Sequence, residues 1–180
     1  MNANETATGG APVKTAVPEP LTVPEVQQIL NAAWKTKFAA YIILRIWAGL
    51  RPMEAHGLDL TKNLKLSLGV VLVNDGPFRR AVKLSPALIK MLMTLQAEGR
   101  LPEVIVKPSD RAVGKLLKEA GAGGNQLRQT AIAYYLAEHG DVFQTSQWGG
   151  VSTGYLRHAF SPITTEQARA FWNLVPNALA

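Results

Sequence analysis

The 180-residue sequence contains no cysteine. That excludes disulfide staples, a thiolate-held zinc and a thiol nucleophile, and it fits a reducing cytoplasm. Histidine is scarce at three residues, and no two of them have metal-ligand spacing, so no metal or other cofactor is expected. Acidic residues are outnumbered, 13 against 19 Lys and Arg. Long apolar runs are also missing. The best candidate, Phe38 to Leu50, is interrupted by Arg45 and falls short of the roughly 20 residues a membrane helix needs, so no membrane partner is expected. The first residues carry no charged region followed by an apolar one, so no secretory signal is read there. Neither a GxGxxG loop nor a Walker lysine loop occurs, which argues against a nucleotide-binding α/β fold.

What remains is a chain that is 47% apolar, with a net charge of +6. The apolar content supports one globular domain with a real core. The basic balance points to a polyanion partner, most often nucleic acid. No block of like charge occurs, so a DNA face must be assembled by folding. Residues 1–20, rich in Ala, Gly, Thr and Pro, read as a flexible arm. Residues 21–180 read as the folded domain.

Thr22-Val23-Pro24-Glu25 has the form of a capping box and predicts a helix to about Ala33. A buried helix is predicted over Lys37 to Ala48, and a short one from Pro52 to His56. The period then changes. Leu66 to Val73 is a β-branched run, Asn74-Asp75-Gly76-Pro77 signals a turn, and Phe78 to Leu84 alternates, which predicts an antiparallel β-hairpin over about 68 to 84. Helices follow over Pro86 to Ala97, after Ser109, over Gln126 to Glu138, over Asp141 to Trp148, over Ser152 to Phe160 and over Thr164 to Trp172. The fold class is α+β, mainly α, with one small sheet.

Three segments together carry a family pattern. Gly49-Leu50-Arg51-Pro52-Met53-Glu54-Ala55-His56-Gly57-Leu58 resembles the GLR-x-x-E box of tyrosine recombinases of the phage-integrase type. Arg80-Ala81-Val82-Lys83-Leu84-Ser85-Pro86 is similar to their R-x-V-P-L-x-P stretch, with Lys83 in place of proline. Asn125-Gln126-Leu127-Arg128-Gln129-Thr130 resembles their H-x-L-R-H-T box. The tail through Phe171-Trp172 looks like that of a bacterial integrase subgroup.

The resemblance implies a helical catalytic domain with one small antiparallel sheet, and a chemistry of DNA cleavage and rejoining through a phosphotyrosine. Two arginines grip the phosphate with planar, forked donors. A hairpin lysine protonates the leaving oxygen, two further positions handle protons, and a tyrosine attacks. Arg51 and Arg128 fall on the two arginine positions, and Glu54 on the acid that orients the site. The other positions are altered: Asp75 stands at the lysine, Asn125 and Gly150 at the histidines, and Ala159 at the nucleophile. Tyr155, four residues and one helical turn before Ala159, is a candidate for a displaced nucleophile.

The resemblance therefore implies an integrase-like DNA-binding pseudoenzyme of mobile-element origin. It keeps a two-arginine clamp, with Arg79 and Arg80 as further backbone contacts, and has no separate N-terminal core-binding domain. One alternative is an interaction module or inhibitor that docks on a complete integrase subunit through its C-terminal segment. Another is an active recombinase that uses Tyr155. Trp148, in place of the leucine before the altered histidine position, is expected to fill part of the space there.

Overall fold

The computed structural model describes residues 19–75, 78–157 and 162–180, with the side chains of Asp75 and Phe78 left outside the description. Most of the expected arm therefore lies outside the described residues.

Helix α1 (Val23–Trp34) opens on the expected capping box, in which Thr22 Oγ1 accepts from Glu25 N and the Glu25 carboxylate accepts from Thr22 N. Leu21, just before it, is anchored by donation from its backbone N to Thr130 Oγ1 at 2.9 Å. Helix α2 (Ala39–Trp47) is buried on every face, because it packs against α1, α5 (Pro86–Ala97) and α7 (Gln126–His139). Gly49 has φ +60, and a Cβ there would come within 2.9 Å of Trp148 Cζ3. This glycine lets the chain leave α2 beside the indole and enter α3 (Pro52–Ala55) with Arg51 at the N-cap.

After α4 (Leu60–Asn63) comes a three-stranded antiparallel sheet in the order β1 (Leu64–Lys65), β2 (Val70–Asp75), β3 (Phe78–Lys83). The hairpin register pairs Val73 with Arg80 and Asn74 with Arg79. Val71, Val73 and Val82 face the core, as the alternation requires. One expectation is corrected. Leu66 to Leu68 do not extend the strand but form a 3-10 turn, closed by Gly69 at φ +62 donating to Leu66 O, and Leu68 is left exposed. The glycine turn lets β1 fold back on β2 as a third strand.

Helices α6 (Asp110–Glu119), α7, α8 (Val142–Gly149), α9 (Thr153–Leu156) and α10 (Thr165–Trp172) complete the domain. Helix α9 ends well short of the expected Phe160, and residues 158–161, including Ala159, lie outside the described residues. Helix α10 returns to α1 and α7, where Phe171 stacks on Tyr134 at 4.3 Å and on Trp47 at 5.6 Å between ring centroids. Among the described residues, no helix is long and apolar enough to cross a membrane.

Candidate phosphate-binding site

Four side chains predicted to act together do meet. Arg51 arrives from the α2–α3 turn, Glu54 from α3, Arg80 from β3 and Arg128 from the first turn of α7. The Glu54 carboxylate, whose side chain is only 3% exposed, is the hub. Its Oε1 accepts from Arg51 Nη1 at 2.8 Å. Its Oε2 accepts from Arg51 N at 2.6 Å, Arg80 Nη2 at 2.9 Å and Arg128 Nη1 at 3.3 Å. Three guanidinium groups around one carboxylate leave two net positive charges in a partly desolvated site. Glu54 limits their mutual repulsion and fixes the forks without cancelling the charge.

Backbone carbonyls at the end of α8 finish the positioning. Gly150 O accepts from Arg51 Nη2 at 2.8 Å and from Arg128 Nη2 at 3.3 Å. Gly149 O accepts from Arg128 Nη2 at 2.5 Å, and Gly49 O from Arg128 Nη1 at 2.8 Å. Burial, then the Arg51 charge, lower the Arg128 pKa to about 10, against the pull of Glu54. It stays charged at neutral pH. Arg51 is the most open of the three, with its side chain 40% exposed, against 15% for Arg80 and 12% for Arg128.

The altered positions are placed as follows. Gly150 caps α8 with φ +61, and a Cβ there would collide with Arg80 Nη1 and lie 3.3 Å from its Cζ. The Arg80 guanidinium thus occupies the space of the missing side chain. A histidine position held by glycine leaves room, and at Gly150 the Arg80 guanidinium takes part of it. Asn125 sits at the N-cap of α7, exposed, and makes no side-chain cap. Asp75 ends β2 opposite Phe78. Ala159 is outside the described residues.

Two clefts flank the arginines. One, about 960 Å³, is lined by Arg51, Glu54, Arg79, Arg80, Lys83 and Trp148. Arg79 and Lys83 project from the exposed face of β3 at its mouth. The other, about 660 Å³, is lined by Arg45, Arg51, Asn125, Arg128, Ser152 and Tyr155. Tyr155 therefore shares a cleft with both Arg51 and Arg128. Trp148 is buried against Tyr135, with ring centroids 4.2 Å apart, and fills the space beside Gly49, whereas Arg80 takes the space beside Gly150. The two described histidines are occupied elsewhere: His56 Nδ1 accepts from Lys107 N, and His139 stacks on Tyr135.

Sequence reasoning missed Arg45, which is 98% buried. The available signal was an arginine inside a helix of eight otherwise uncharged residues.

No family model matches the sequence, and no curated protein matches it either. Solved structures do match in fold. The XerA recombinase aligns with a TM-score of 0.61 at 17% identity, over 94% of this chain and 64% of that one. The XerH site-specific recombinase bound to its difH substrate in a pre-cleavage complex gives 0.61 at 20% identity, over 87% of this chain and 55% of that one. The catalytic domain of bacteriophage HP1 integrase gives 0.57 at 15% identity, over 89% of this chain and 90% of that domain. The chain spans less than two thirds of the first two and nearly all of the third. Its fold is that of a recombinase catalytic domain, as the three sequence boxes implied.

Proposed function

We propose that this chain is a recombinase-type DNA-binding module that grips the phosphate backbone through Arg51 and Arg128 and does not cut it. One observation carries the reading: both guanidinium groups converge on the same carboxylate and the same Gly150 carbonyl, beside an open cleft. A planar guanidinium fork matches a phosphate edge, and a phosphate arriving at Arg128 would replace part of the carbonyl and carboxylate contacts that hold it. The similarly folded XerH has been solved on a DNA substrate. A backbone contact without base readout favours weak, salt-sensitive binding, with a dissociation constant on the order of 10⁻⁴ to 10⁻⁶ M at physiological salt.

The test is a salt-titrated binding assay on a DNA duplex. An Arg51→Ala, Arg128→Ala double variant is expected to bind more weakly and to flatten the salt slope by about one to two counterions. No binding by the wild type at low salt, or binding untouched by the double variant, would defeat the reading. A docking role toward a complete integrase would then lead, and a pull-down with such an enzyme would follow.

A second reading, strand cleavage by Tyr155, is favoured by one observation, the cleft that Tyr155 shares with Arg51 and Arg128. Against it stand Asp75, Asn125 and Gly150, none of which protonates a leaving oxygen at neutral pH. Trapping on nicked DNA decides between the two.

A further inference from the structure

Arg45 is a buried cation that the clamp does not use. It lies on α2, 2% exposed. Its Nη2 donates to Gly124 O at 2.5 Å, and its Cζ lies 5.6 Å from the Tyr41 ring centroid. Its Nε is buried with no acceptor, and no carboxylate of the described residues comes within the 4.0 Å of an ion pair. A cation kept from water without a counter-ion destabilises the free chain. Burial accordingly lowers its pKa.

The same guanidinium meets a second anion-seeking feature. Gly124 O, its acceptor, directly precedes Asn125 at the start of α7, a helix of 14 residues whose N-cap side chain makes no capping bond. An open helix N-terminus offers backbone N–H groups and a partial positive charge to an anion. Arg45, Pro52 and Asn125 line both the clamp cleft and a neighbouring one of about 310 Å³, which continues to Lys107. Asp110, also on that wall, is held by Lys107 at 2.8 Å.

We propose that Arg45 and the open N-terminus of α7, with Asn125 at the entrance, form a second phosphate subsite beside the Arg51–Arg128 cleft. The molecule then takes two neighbouring phosphates of one nucleic-acid strand. The buried charge on α2 is compensated by the ligand rather than by the protein. This subsite presupposes the phosphate contact at Arg51 and Arg128 and adds its neighbour. The competing role for Arg45 is a purely structural tie between α2 and the loop before α7.

Arg45→Met keeps length and apolar packing and removes the charge. Salt titration on a DNA duplex is expected to show at least threefold weaker binding and a salt slope smaller by about one counterion. Arg45→Lys is expected to restore the slope. A structural tie would change melting temperature without changing that slope. Affinity within twofold of wild type, with an unchanged slope, overturns the subsite. If Arg45→Met does not fold, Asn125→Asp serves instead. A carboxylate at the α7 N-cap should raise the melting temperature while weakening DNA binding at least tenfold by pairing with Arg45, and unweakened binding overturns the proposal. Loss of binding in the Arg51→Ala, Arg128→Ala variant but not in Arg45→Met removes the subsite alone. Absence of any wild-type binding removes both.

Discussion

Arg80 and Gly150 lie against each other in space and seventy residues apart in the sequence, and each explains the other. A glycine at position 150 has φ +61 and no Cβ, so the Arg80 fork can lie against it and still reach Glu54 Oε2 at 2.9 Å. Any side chain at 150 has to displace that fork. Gly150→Ala should therefore cost roughly 1 to 2 kcal/mol for the left-handed backbone alone. It should cost more again by pushing Arg80 off Glu54. A double-mutant cycle with Arg80→Met isolates the second effect. The alanine is expected to be less harmful once Arg80 is gone, with a coupling of about 1 kcal/mol read from urea unfolding. Additive effects would mean that the two side chains do not compete for the space. Arg51, Glu54 and Arg128 were legible in the sequence because their boxes name both residue and spacing. The Arg80–Gly150 exchange was not, since a glycine in a sequence says nothing about which distant side chain fills its place.

At the scale of elements, periodicity and punctuation account for most of what could be read. The capping box at Thr22, Ser109 at a helix start, and the alternation along β3 all mark elements where the structure has them. The Leu66–Leu68 segment misleads, because its apolar spacing suits a strand while Gly69 closes a turn. The C-terminal segment is the more consequential case. Docking on a complete integrase through this segment is one of the alternative readings, and within the single chain the segment packs on its own domain. Phe171 is fully buried, Gln27 Nε2 donates to Val175 O at 3.0 Å, and Asn177 N donates to Asn31 Oδ1 at 2.9 Å. Docking elsewhere would expose that packing. Phe171→Ala is expected to cost about 3 to 5 kcal/mol in equilibrium unfolding of the isolated chain, independent of protein concentration. A cost near zero, or one that varies with concentration, would mean that the segment serves another subunit.

For the molecule as a whole, the proposed function separates holding a phosphate from cutting it. Holding needs permanent positive charge in a fixed fork, and Arg51, Arg80 and Arg128 around Glu54 supply that. Cutting needs in addition a nucleophile and a group that gives a proton to the leaving oxygen. The first has one candidate, Tyr155, set on a single turn of helix whose N-cap Ser152 fixes its backbone N. For the second, the cleft that holds Tyr155 offers Asn125 and Ser152, neither of which is an acid near neutral pH, while Lys83 of β3 lines the other cleft beside Arg51 and Arg80. Unless Lys83 reaches the leaving oxygen, a tyrosine that attacks there must expel a bare alkoxide, which makes the step slow even with three arginines near the phosphate. Nicked duplexes that trap a 3′-phosphotyrosine link are therefore expected to yield no covalent band on denaturing gels, for the wild type and for Tyr155→Phe alike. A band present in the wild type and absent in Tyr155→Phe would make the chain a recombinase with a relocated nucleophile, and the arginine cluster would then be its transition-state clamp rather than a binding site alone.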